Sequence, residues 1–160
     1  MGTKIYAVID TNVLVSALFS ISGQSNPSTV VRKIIDGTIT PLYNDEILAE
    51  YIEVLSRDKF PFKEDDIEWI MSIFIDYGLS LERTPICNEV FKDKDDIVFY
   101  EVALSKEDSF LVTGNIKHFP RKPFIVTPAE MLCIIDEIES GTKRFLSEPC
   151  LQYGKNHQHI

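Results

Sequence analysis

Asp10 follows directly on Ile5-Tyr6-Ala7-Val8-Ile9, a short continuous apolar run. A carboxylate there is either a helix N-cap for the segment starting near Asn12 or a functional group presented at a strand end. Glu50 lies on the stretch 44–57, where Ile47, Tyr51, Val54 and Leu55 make an apolar arc at about 100° per residue. The same wheel leans Glu50 over the sheet toward Asp10 and leaves Glu46 and Glu53 to solvent. Asp96 opens a helix of almost wholly apolar residues, Ile97 to Leu104, on the side of Phe99, Tyr100 and Ala103. A carboxylate buried there without a partner costs several kcal/mol. Asp93 and Asp95 complement the helix dipole, and Glu101 keeps to the solvated side with Ser105. Thr113-Gly114-Asn115 follows the apolar Phe110-Leu111-Val112, either as a plain turn or as a further set of oxygen ligands.

Acids converging on strand ends repel one another and need cations, shared protons or basic partners. After these strands no Lys or Arg appears until Lys117, Arg121 and Lys122. Oxygen-only ligands suit Mg²⁺ or Mn²⁺ rather than zinc. An acidic cup around such ions is a device for hydrolysing phosphodiesters, because the metal activates water and neutralises phosphate charge. The cluster Lys117, His118, Arg121 and Lys122 is either a grip on an RNA backbone or a solvated loop. His118 has no second histidine outside the tail (His157, His159), and neither Ser16 nor Ser109 sits in a Ser-His-Asp pattern. Aspartyl phosphotransfer would want Asp-x-Asp after the first strand, where the third residue is Asn12. A receiver domain would want an acidic pair there, and it is missing.

The elements that must position these groups alternate. Strands are expected at 5–9, 38–43, 79–81, 110–113 and 124–126. Helices are expected at 44–57, 63–77, 93–105 and 127–139, with another after Ser25-Asn26-Pro27 that ends at Gly37. Thr127-Pro128-Ala129-Glu130 spells a capping box. Such alternation predicts an α/β fold with a parallel sheet covered on both faces, its chemistry at the carboxyl ends of the strands. The domain should span residues 1–140, with residues 141–160 a loosely ordered tail.

The 160 residues carry 16 Lys+Arg against 25 Asp+Glu, a net charge of −9 that disfavours a broad basic grip on nucleic acid or a polybasic membrane contact. Cations in a carboxylate pocket reverse that sign locally. Cys87, Cys133 and Cys150 are widely spaced and hold no C-x-x-C, which argues against a disulfide framework or a zinc site. No apolar run approaches a bilayer span, so a cytoplasmic protein with no membrane contact is expected.

Four motifs together resemble the PIN (PilT N-terminus) domain family, in particular its toxin-like branch. They are Val8-Ile9-Asp10-Thr11-Asn12-Val13-Leu14-Val15-Ser16-Ala17, Glu46-Ile47-Leu48-Ala49-Glu50-Tyr51, Asp95-Asp96-Ile97-Val98-Phe99-Tyr100-Glu101-Val102-Ala103 and Leu111-Val112-Thr113-Gly114-Asn115. The likeness runs over roughly residues 4–130 in family order. It implies a three-layer α/β/α sandwich around a mostly parallel sheet and a Mg²⁺- or Mn²⁺-dependent endoribonuclease. Asp10, Glu50 and Asp96 match the metal-binding acids. Asn115 stands where the family's fourth acid would be, which removes a charge from the second metal site. Asn12, Thr113 and Asp93 are accessory candidates, and Lys117, Arg121 and Lys122 the RNA-binding ones. The branch implies a small antitoxin partner and a homodimer. The alternative is a PIN-like RNA- or protein-binding regulatory module with weakened or absent nuclease activity.

Overall fold

The computed structural model describes residues 4–83, 89, 91 and 93–141. Five strands, β1 (Ile5–Ile9), β2 (Ile39–Tyr43), β3 (Leu79–Ser80), β4 (Phe110–Val112) and β5 (Ile125–Val126), form one all-parallel sheet in the order β3-β2-β1-β4-β5. Six helices connect and cover them: α1 (Thr11–Phe19), α2 (Asn26–Ile35), α3 (Asp45–Leu55), α4 (Glu64–Tyr77), α5 (Asp95–Leu104) and α6 (Pro128–Ser140). Successive side chains on a strand point to opposite faces, and Ala7, Val8 and Ile9 are all buried. Both faces of the sheet are therefore covered, as the unbroken apolar run of β1 requires. Helix α2 packs on β2 and meets α1, α4 and α6, while α5 lies across β1, β2 and β4 and meets α3.

Local capping sets where the helices begin. The Ser25 hydroxyl accepts the Ser28 N–H at 3.2 Å, with Pro27 in the first turn of α2. Asn44 Oδ1 accepts the Ile47 N–H at 2.8 Å, so α3 starts directly where β2 ends. Thr127 and Glu130 form the expected reciprocal box at the start of α6. Helix α5 starts two residues later than the acid run suggests, because Asp93 Oδ1 accepts the Asp95 N–H at 2.9 Å and turns the chain into the helix.

Strand order decides where a site can form. The chain moves outward from β1 through β2 to β3 and then returns to the other side of β1 as β4. The crevice between the carboxyl ends of β1 and β4 is thus the switch point of the sheet. Ile9 pairs with Val112, so Asp10 and Thr113 leave the sheet side by side, and the Asp10 N–H still bonds the Val112 carbonyl at 2.9 Å.

The cysteine pattern argued against disulfides, yet Cys133 on α6 is disulfide-bonded, its partner lying outside the described residues. Cys87 and the tail from residue 142, including Cys150, His157 and His159, also lie outside them. Among the described residues no helix is long and apolar enough to cross a membrane.

Gly78 ends α4 beside the sheet. A Cβ there would collide with the Phe74 carbonyl oxygen and sit 2.7 Å from that of Pro41, a β2 residue. Gly78→Ala should therefore lower stability by about 1–3 kcal/mol through forced backbone movement. Chemical denaturation measures this; an unchanged midpoint would show that α4 and β2 can separate freely.

Candidate active site

Asp10 is buried, and although it stands at the N-cap position of α1 its carboxylate caps nothing. Its Oδ2 instead accepts the Thr113 hydroxyl at 2.7 Å and the Asn12 amide at 3.2 Å. Asn12 Oδ1 accepts the Gly114 N–H at 3.0 Å, and the Asn115 N–H donates to Thr113 Oγ1 at 2.9 Å. The first and fourth motifs are thereby laced together across the switch point. From below, Tyr51 donates its hydroxyl to the Ile9 carbonyl at 2.6 Å, fixing the last residue of β1. Burial and the nearby Asp10 charge raise the Tyr51 phenol well above its ordinary range, so it stays a donor.

Asp96 completes the centre from the first turn of α5. It is 9% exposed, and its Oδ2 is buried with no hydrogen-bond partner. The Nδ1 of the exposed His118 lies 3.7 Å from that oxygen. Burial first, then the charges of Asp10, Asp93, Asp95 and Glu50, push the Asp96 pKa up to about 7. Asp10 is also raised by burial, against the lowering effects of the Thr113 hydroxyl, the Thr11 backbone, His118 and Asn12. The two carboxylates share one anionic field.

Glu50 is half-buried on α3, and burial raises its pKa, followed by Asp95 and Glu53. Its charge neighbours also include Arg57 and Asp93, and Asp96 feels it in turn; Asp10 is not among them. Glu50 thus shares the field of the acids at the start of α5. Asp93 is exposed and spends its carboxylate on the turn before α5. Among the described residues no three His, Cys, Asp or Glu are gathered closely enough to hold a metal ion unaided. Mg²⁺ is commonly held by only one or two carboxylates, with water and substrate phosphate completing its shell. The all-oxygen set and the orphaned buried Asp96 Oδ2 fit that pattern.

One expectation changes. Glu101, expected in solvent, is 3% exposed and bonded to the Arg83 Nε at 3.1 Å. Arg83 also reaches Glu46 at 3.2 Å, and Glu46 stays exposed as expected. An arginine arriving just after β3 makes burial of Glu101 tolerable, and nothing in the local pattern of α5 reveals it. Of the residues expected at an RNA backbone, Lys117 and Arg121 are exposed and Lys122 pairs with Glu89 at 3.4 Å. Among the described residues no lysine or arginine forms an ion pair with Asp10, Glu50 or Asp96. Tyr51, read as part of an apolar arc, and His118, read as part of a basic cluster, turn out to be neighbours of the carboxylates. A tyrosine within a buried arc needs a partner for its hydroxyl, and that was the available signal.

The family model described as PIN domain matches residues 6–117, a span containing every carboxylate of this centre. No curated protein matches the chain.

Tyr51→Phe strands the buried Ile9 carbonyl and should lower stability by about 1–3 kcal/mol, measured by denaturant titration. Asp96 allows a signed test. Its folded pKa of about 7 lies above the ordinary 3.8, so the folded state retains the proton. The destabilisation begins as pH rises past the lower value and is complete above the higher one. In chelator, Asp96→Asn should melt several degrees above the unsubstituted protein at pH 8, with the gap shrinking toward pH 4. A gap independent of pH would contradict the shared anionic field.

Proposed function

Because the chain belongs to the PIN domain family, whose function is of nuclease type, we propose that it is a divalent-metal-dependent endoribonuclease. The observation that carries this is the buried Asp96 oxygen without a hydrogen-bond partner, set in the field of Asp10, Asp93, Asp95 and Glu50. Asp10 and Asp96 would hold Mg²⁺ or Mn²⁺, with Glu50 approaching from α3. Bound metal supplies an activated water and neutralises charge on the phosphate.

The chain's own residues prepare that chemistry. Thr113 and Asn12 hold the Asp10 carboxylate in place, and the Asn115 N–H holds the Thr113 hydroxyl that does so. Lys117 and Arg121, exposed beside the turn that carries His118 to Asp96, meet the incoming RNA backbone. Lys122 stays with Glu89. The likeness of the four motifs to the toxin-like branch supports a finer assignment: a toxin restrained by a small antitoxin protein, acting in the cytoplasm as a homodimer.

A second reading, an RNA- or protein-binding module with weak or no cleavage, is favoured by Asn115 in the fourth acid position and by the lack of a tight three-acid cluster among the described residues. One experiment separates the two. Cleavage of a fluorophore–quencher single-stranded RNA should require Mn²⁺ or Mg²⁺ and vanish with chelator. Asp10→Asn should reduce it about 100-fold or more, with the fold retained by circular dichroism. Cleavage that survives both chelator and Asp10→Asn would remove the metal-nuclease reading. Metal binding without cleavage would favour the module.

A further inference from the structure

A pocket of about 230 Å³ opens beside the carboxylates, lined by Asn12, Val13, Ser16, Pro27, Gly114, Asn115 and Pro128. Three elements meet there: the first turns of α1, the start of α2 and the start of α6, with the residues after β4 closing the fourth side. Its lining carries no Lys, Arg, Asp, Glu or His. A phosphate or another charged group would find no counter-charge inside. The occupant that suits it is neutral and small, below the ~300–1,000 Å³ of drug-sized pockets.

The polar lining suits a hydrogen-bonding edge. Asn12 is oriented by its two bonds, Nδ2 to Asp10 and Oδ1 from the Gly114 N–H, and retains a second N–H to offer. The Asn115 amide makes no side-chain hydrogen bond among the described residues, and Ser16 adds an exposed hydroxyl nearby. Val13, Pro27 and Pro128 supply apolar surface for a flat ring. Gly114 keeps the floor low: a Cβ there would lie 3.3 Å from Asn12 Oδ1. Because Asn12 touches both Asp10 and the pocket, whatever fills it is adjacent to the proposed metal centre.

Building on the nuclease reading, we propose that this pocket receives one unstacked nucleobase of single-stranded RNA next to the scissile phosphodiester and makes the protein base-selective. Sequence-specific recognition of RNA works on such splayed bases through their hydrogen-bonding edges, and side-chain amides read those edges in pairs. Asn115 then serves recognition, where an acid would have served a second metal.

The test measures binding of four RNA homopentamers (A, C, G and U) by fluorescence anisotropy with Mg²⁺. The Asp96→Asn protein is used so that the RNA stays intact. One base should bind about tenfold more tightly than the weakest. Adding Ser16→Phe, which fills the pocket from an exposed position, should level the four affinities, and Asn115→Ala should do the same by removing the amide. Equal affinities before substitution, an unchanged ranking after both, or no binding at all would overturn the proposal. Cleavage of the same pentamers by the unsubstituted protein separates the two claims. Ranked binding without cleavage removes the nuclease reading and leaves the base pocket, whereas cleavage without ranking removes the pocket alone.

Discussion

Anionic charge gathered at the switch point of the sheet, with no lysine or arginine ion-paired to it among the described residues, is the constraint on which the rest depends. Asp10 and Asp96 come from segments 86 residues apart, and both are largely withdrawn from water. Burial raises the pKa of both, and the Asp10 charge raises that of Asp96 further. The same protein shows how a buried acid is neutralised when its role is structural: Glu101, one and a half turns further along α5, receives Arg83. Asp96 receives only a histidine at 3.7 Å. Of two acids on one helix, one is paired with an arginine and the other has no lysine or arginine ion pair among the described residues.

The scaffold devotes several independent devices to holding that unfavourable arrangement. Parallel pairing of β1 with β4 sets Asp10 and Thr113 next to one another. The Tyr51 hydroxyl fixes the end of β1 from the core, and the Asn12–Gly114 bond joins the loops above it. Asp93 turns the chain so that α5 begins with Asp96 in its first turn. All but the Asp93 turn join segments far apart in the chain, so the fold itself positions the site. Stability given up at such a place is a familiar correlate of function.

Much of this was legible in the residues. The alternation of apolar runs with capped helices predicted the α/β fold, and the parallel sheet of five strands agrees with it. The Ser25, Asn44 and Thr127 caps were visible because side-chain caps are local. Asp10 and the Thr113 segment were legible from the rule that strand ends carry the chemistry, and Asp96 from the cost of an acid on an apolar helix. What could not be read depends on partners far along the chain. Arg83 lies 18 residues from Glu101, so a wheel drawn on α5 alone placed that glutamate in solvent. Lys122 looked available because Glu89 reaches it from the segment before α5. The pocket under Asn12 and Asn115 needs four chain segments at once, and no single stretch announces it.

The most direct test of the central claim is anomalous diffraction from crystals soaked in Mn²⁺. A peak bound by oxygens of both Asp10 and Asp96 at about 2.0–2.6 Å is the expected result. Crystals showing no peak there, or a peak that contacts neither carboxylate, would contradict it.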